Sequence, residues 1–230
     1  MAQFRLVRPM CTTRMSRIHC FAATFLLLTA SGGLSEPCGS FRDARERSRI
    51  DFAPLDDFVD VCSQDFQLCV KLTQGYPHSV TTIGYFVPRK EWEQYRKGER
   101  SGFSRYLIGQ RAATMSDSEF AGFKQYVHSQ QADIPDHTNA PATLELQDHI
   151  PLGIVDETKD SISFGMAMRF QPTDNGVLAP VWLGSINIAL QFKGETLTLY
   201  AFDTLEMPTA TAGLKSLAAR WLKCIRARNS

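Results

Sequence analysis

The sequence predicts an α+β fold: an antiparallel sheet of about six strands with helices packed on it and a C-terminal amphipathic helix across one face. Three observations carry this. Beyond about residue 150 the chain runs in long apolar, partly alternating segments separated by short turns, the pattern of a meander. The C-terminal segment switches to a helical period, with Leu214, Leu217, Ala218, Trp221, Leu222 and Ile225 in one stripe. A stripe of that width must lie on something, and an antiparallel sheet with one apolar face is the natural partner. The first half mixes short strands and short helices.

Taken in order, Arg42 to Ile50 is charged and weakly apolar and predicts an exposed helix. Ser63 is placed to cap a short helix with Phe66, Cys69 and Val70 on one face, ended by Gly75 and Pro77. Val80 to Val87 is β-branched and aromatic, hence a strand. Pro88 stands at the first position of a short helix around Trp92 and Tyr95, stopped by Gly98. Phe103 to Gln110 is a second strand. Ser116-Asp-Ser-Glu119 is a capping box, and Phe120, Phe123 and Val127 follow it at helical spacing. Ala132 to Ala142, with two prolines, reads as a long surface loop between the halves.

The second half then reads as strands over Leu152 to Glu157, Ser161 to Phe170, Val181 to Phe192 and Thr196 to Phe202. Thr158-Lys-Asp160 and Lys193-Gly194 supply turns, and Pro172 to Gly176 a loop. Pro208 and Thr209 open the last helix, whose Lys223, Arg226 and Arg228 suit the negative end of its dipole. No internal repeat or low-complexity tract interrupts the chain.

The N-terminus has a different character. Arg5, Arg8, Arg14 and Arg17 precede the apolar run Phe21 to Ala30, followed by small residues, with no acid before Glu36. That is the layout of a secretory signal peptide over residues 1–35, leaving 36–230 as a single exported domain. The apolar run extends only ~15 Å as a helix, against a ~30 Å hydrocarbon core, so no transmembrane span is expected in the mature chain. A start at Met15 gives a more typical basic region, and cleavage fits after Gly32 or after Ser35. Pro37 before Cys38 breaks the small-residue pattern that lipidation of that cysteine requires. Localisation is expected to be periplasmic or secreted.

Composition narrows the classes further. Hydrophobic residues are 43% and charged residues 21%, which excludes collagen, coiled coil, disorder and a polytopic membrane protein. Formal charge is +1 for the whole chain and −3 from residue 36 onward, so no basic excess points to nucleic acid. Cys38, Cys62, Cys69 and Cys224 remain after export, an even number that allows three pairings in an oxidising compartment. Spacing favours Cys62 with Cys69 as a local clip and Cys38 with Cys224 as a tie between the ends. The alternative leaves Cys224 as a buried thiol on the last helix. No CxxC is present, which removes the support for a redox motif or a zinc knuckle.

The meander ending in Gly194-Glu-Thr-Leu-Thr-Leu-Tyr-Ala-Phe202, followed by a helix closing on Trp221, Ile225 and Asn229, resembles the last third of exported proteins with a Mog1/PsbP-like α/β/α sandwich. The resemblance covers about residues 150–229 and is one of pattern. It implies that fold together with binding and accessory roles, and it implies no shared catalytic residue.

Chemistry-bearing motifs are few. GxSxG, Walker A, GxGxxG, HExxH and EF-hand patterns are all absent. Asp133, Asp136, His137 and His149 form a carboxylate–imidazole set of the kind that binds zinc, although polar loops collect such residues routinely. A hydrolase would need a thiol or serine beside His128 or His149, and no strained nucleophile turn is evident. Met166 and Met168 share a strand face, where core packing explains them better than copper.

The most distinctive stretch is 89–105. Arg89, Lys90, Arg96, Lys97, Arg100 and Arg105 stand against three glutamates for a net +3, with Trp92, Tyr95 and Phe103 interleaved. Arg forks bind carboxylates and phosphates, and aromatics stack on flat faces. The segment is therefore a candidate surface for an acidic protein, an anionic polymer or a lipid head group. Its plainer reading is a helix with Trp92 and Tyr95 turned inward and its charges in water. The expected function is that of an exported, non-enzymatic binding or accessory protein without a cofactor. A hydrolase or metal-dependent enzyme using the Asp133–His149 region is the alternative.

Overall fold

Strand-forming segments of both halves of the chain pair in a single sheet in the computed structural model. The structure describes residues 38, 50–52, 54–74, 76, 80–130, 144–172 and 179–230. The segment 1–35 expected as a signal peptide, nearly all of the helix expected over 42–50 and the loop expected over 132–142 lie outside these residues, as do Asp133, Asp136 and His137.

In chain order the elements are β1 (Phe58–Asp60), α1 (Val61–Gln64), α2 (Phe66–Thr73), β2 (Thr81–Pro88), α3 (Arg89–Arg96) and β3 (Arg105–Arg111). They continue with α4 (Asp117–Ser129), β4 (Leu144–Glu157), β5 (Ser161–Pro172), β6 (Val181–Phe192), β7 (Glu195–Leu205) and α5 (Ala212–Asn229). The sheet has seven strands in the order β1-β2-β3-β7-β6-β5-β4, every neighbouring pair antiparallel. The α+β class and the C-terminal helix thus stand as the sequence predicted. The additional strand is β1, three residues long and too short to show an alternating pattern.

One face of the sheet is closed. Leu107, Ile186, Leu197, Leu199 and Ala201 meet Leu214, Leu217, Ala218, Trp221, Leu222 and Ile225 of α5 in a shared core. The predicted stripe of α5 is buried throughout. Trp221 is fully buried with its indole edge-on to Phe86. At Gly184 an added Cβ would lie 2.6 Å from a Leu214 methyl, so the bare backbone of β6 lets the helix approach. Lys193 and Gly194 both have positive φ, the conformation a two-residue hairpin turn requires between β6 and β7.

Two disulfides are present. Cys38 is joined to Cys224 across a sequence separation of 186, and Cys62 to Cys69 across 7. Arg228 donates to the Cys38 carbonyl at 2.7 Å. The Asn229 carboxamide accepts from Asp51 N–H at 2.7 Å and donates to the Asp51 carbonyl at 2.8 Å. Ile50, Phe52, Leu55 and Phe58 are buried in the same core as α5. The segment before β1 is therefore fixed against the C-terminal helix by covalent, polar and apolar contacts together.

Several local expectations are corrected. Asp65, and not Ser63, caps α2 by accepting from Leu68 N–H at 2.9 Å, while Ser63 lies within α1 and donates to the Asp60 carbonyl. The face of α2 that turns inward carries Leu68, Leu72 and Cys69, leaving Phe66 59% and Val70 45% exposed. The Cys62–Cys69 tie to α1 accounts for that choice of face. Pro88 is the extended residue before α3 and not its first helical residue. β3 begins two residues later than expected, because Phe103 packs on the α3 aromatics. β4 begins at Leu144, not Leu152; its first half is an edge with exposed Glu145, Gln147, Asp148 and His149, where no alternation is demanded. α5 starts at Ala212, after turns closed by Ala210 N–H to Met207 O and Thr211 N–H to Thr209 O. Among the described residues no helix is long and apolar enough to cross a membrane.

Candidate functional site

The segment 89–105 folds as helix, turn and strand, and its residues divide into two sets. Trp92 is 6% exposed and stacks on Tyr95 at 6.0 Å between ring centroids, while Phe103 lies 5.2 Å from the Tyr95 ring. The aromatics are thus engaged with one another under the helix. Gly98, with φ 73°, ends the helix by donating to the Tyr95 carbonyl. Glu91 holds the following turn through both Ser104 N–H, at 2.8 Å, and the Ser104 hydroxyl, with Arg100 at 3.4 Å. Arg105 pairs with the buried Asp203 at 2.5 Å, and that contact raises the guanidinium pKa still further.

Arg89, Lys90, Arg96 and Lys97 form the other set. All four are exposed, and none has an ion-pair partner among the described residues. At 100° per residue they share the outer half of α3 with a single acid, Glu93. The structure therefore groups four of the eight predicted binding residues on one surface. Trp92 and Tyr95 lie beneath it, and Arg100 and Arg105 are tied to internal carboxylates.

Other predicted residues are not gathered into a site. His149 is exposed on the edge strand β4, where its N–H donates to Asp148 Oδ1 at 2.8 Å. Among the described residues no three potential metal ligands come together. Met166 and Met168 are buried beside Phe170. His128 meets Glu157 at 2.8 Å, and Lys124 reaches the same carboxylate at 3.1 Å; both contacts lower the Glu157 pKa. A groove of about 840 Å³ runs between α4 and the turns at 158–160 and 193–194. Half of its charges are paired: Lys124 with Glu157, Asp160 with Arg226 and Glu195 with Arg111.

A second feature escaped the sequence reading. The sheet face opposite α5 is covered at one end by α1, α2 and α3, over Val61, Tyr85, Val87, Trp92 and Ile108. At the other end α4 covers it, over Phe120, Val127, Ile162 and Ala189. Between them Tyr106, Tyr200, Phe202, Asn187 and Phe164 are only half-buried. Register makes them neighbours: Tyr106 faces Phe202, Tyr200 faces Asn187, and Asn187 faces Phe164. The rings form a row, Tyr85 to Tyr106 at 5.3 Å, Tyr106 to Phe202 at 4.5 Å and Phe202 to Tyr200 at 6.3 Å, all close to parallel. The hydroxyls of Tyr85, Tyr106 and Tyr200 have no hydrogen-bond partner among the described residues. The sequence signal was an aromatic residue at matching positions of three strands, visible only once the register is known.

No known family profile matches the chain, and no curated protein matches it. Among solved structures it is similar to the Ran-binding protein Mog1p of Saccharomyces cerevisiae, at 10% identity and a TM-score of 0.42, over 84% of this chain and 94% of that one.

Proposed function

We propose that this chain is an exported, non-enzymatic binding protein that docks an acidic partner on the outer face of α3. The observation that carries the reading is the grouping of Arg89, Lys90, Arg96 and Lys97, exposed and without ion pairs among the described residues, on a helix anchored from beneath by Trp92, Tyr95 and Phe103. Free cations held on a rigid element steer and retain an anionic surface by long-range attraction. An acidic protein fits better than a lipid surface, because a membrane-seated helix needs an apolar face and that of α3 is already engaged in the core. The two disulfides and the basic-apolar-small N-terminus support export.

The test is charge reversal, Arg96→Glu with Lys97→Glu, read by retention of the protein on immobilised polyglutamate and on phosphatidylglycerol vesicles. Retention on polyglutamate that falls at least tenfold in the variant, with weak vesicle binding in both proteins, is the expected result. Unchanged retention would remove α3 from the reading, and preferential vesicle binding would replace the protein partner by a lipid.

A further inference from the structure

We propose that the groove between α4 and the turns at 158–160 and 193–194 is a binding site for a small organic anion with an apolar body. The shape is the first argument. Its volume of about 840 Å³ falls within the range of small-ligand sites, about 300–1,000 Å³. Its walls are tied together by side chains. Lys124 of α4 donates to the Thr158 carbonyl at 2.7 Å and reaches Glu157 at 3.1 Å. Gln191 of β6 donates to the Met115 carbonyl at 2.8 Å, just before α4. Arg226 of α5 holds the 158–160 turn from behind, through Thr158, Asp160 and Ser161. A site held in this way loses little freedom when a ligand enters.

The apolar lining is the second argument. Met115, Ala121 and Phe192 line the groove with their side chains only half-buried or exposed. A ligand with an apolar body removes that surface from water, which an inorganic ion cannot do.

Charge is the third. Six charged residues line the groove, and three of them are neutralised by partners beyond it, Lys124 by Glu157, Asp160 by Arg226 and Glu195 by Arg111. Lys159, Lys193 and Asp117 are exposed and have no ion pair among the described residues. The uncompensated charge is therefore two ammonium groups against one carboxylate. That carboxylate stands in the first turn of α4, where the positive end of the helix dipole offsets part of it. The two lysines sit on adjacent turns, because Gln191 N–H donates to the Asp160 carbonyl at 2.8 Å where β5 and β6 meet. Lys193 Nζ lies 5.6 Å from the centre of the Phe192 ring, which sets an ammonium group beside an aromatic surface of the groove. An anionic head group at the lysines with its apolar body on Phe192 and Met115 meets both features. A cation would be repelled by the same pair, and a neutral molecule would gain nothing from it. The groove shares no residue with α3, so this site is independent of the surface proposed there.

The experiment titrates the full disulfide-bonded chain, in buffer free of phosphate, with 1-anilinonaphthalene-8-sulfonate, following its emission. One saturable site is expected. The variant Lys159→Gln with Lys193→Asn removes both free cations, and asparagine suits the positive φ of residue 193. It should weaken dye binding roughly tenfold. Lys159→Gln alone, which leaves the hairpin turn untouched, should weaken it roughly threefold and provides the same test if the double variant does not fold. N-phenyl-1-naphthylamine, which has the same rings without the sulfonate, should bind more weakly than the anion. Arg96→Glu with Lys97→Glu should leave dye binding unchanged. The proposal is overturned if no saturable site appears, if the lysine variants bind as well as the parent, if the neutral dye binds as tightly as the anion, or if the α3 variant loses the dye.

Discussion

Asp60 stands where β1 turns into α1, and its carboxylate works under opposed demands. It accepts from Cys62 N–H at 3.1 Å and from Tyr85 N–H at 3.3 Å, so the ionised form is hydrogen-bonded to two elements. Burial nevertheless outweighs those bonds and raises its pKa above the ordinary 3.8. An acid whose pKa rises on folding contributes stability that is fully present below its unfolded pKa and is lost as pH rises through the folded value. Asp60→Asn keeps an oxygen acceptor and removes the buried charge. The difference in urea midpoint between the parent and this variant should therefore shift in favour of the variant as pH rises from about 4 to about 6. A pH-independent difference would show that desolvation of Asp60 has no energetic weight. Glu119 and Glu157 have lowered pKa values and act in the opposite sense, which is why the comparison must be made against the variant.

At the scale of elements, what the sequence shows depends on whether the cause is local. The capping box of α4 forms as written, with Ser116 and Glu119 bonding each other's backbone N–H, because all its atoms lie within one turn. The stripe of α5 and the Lys193-Gly194 turn are equally local. The inward face of α2 is not, since a disulfide to the preceding helix selects it. Phe66→Ser and Val70→Ser should change stability by no more than about 0.5 kcal/mol, while Leu68→Ala and Leu72→Ala should each cost about 1–2 kcal/mol. Chemical denaturation of the four variants distinguishes this phase of the helix from the one predicted. The same reasoning explains which surface features the sequence shows. The cations of α3 are contiguous and visible in the sequence, whereas the row of stacked rings is assembled across β2, β3 and β7 by a register that no local pattern encodes.

For the whole molecule, the two disulfides act on very different lengths of chain. Cross-linking limits the freedom of the unfolded state more as the closed loop lengthens. Replacing Cys38 and Cys224 by Ser should cost about 5 kcal/mol and replacing Cys62 and Cys69 about 2 kcal/mol, an order that thermal or urea unfolding checks directly. The reverse order would mean that Asn229, Arg228 and the buried Phe52 and Leu55 already hold the ends without the bond.

β7 is the last strand in the chain and the fourth across the sheet, between β3 and β6. Until β7 is in place, β1 to β3 and β4 to β6 can pair only as two partial sheets, whose inner edges β3 and β6 have nothing to pair with. Unpaired inner edges are the sites where strands of separate chains join, and long-range pairing of this kind is slow to form. A chain stopped before Glu195 would keep both edges open and have no α5 to cover the apolar face. Arrival of the final strand and helix joins the halves, and the same event brings Cys224 to Cys38, so the covalent tie marks chains whose assembly is complete.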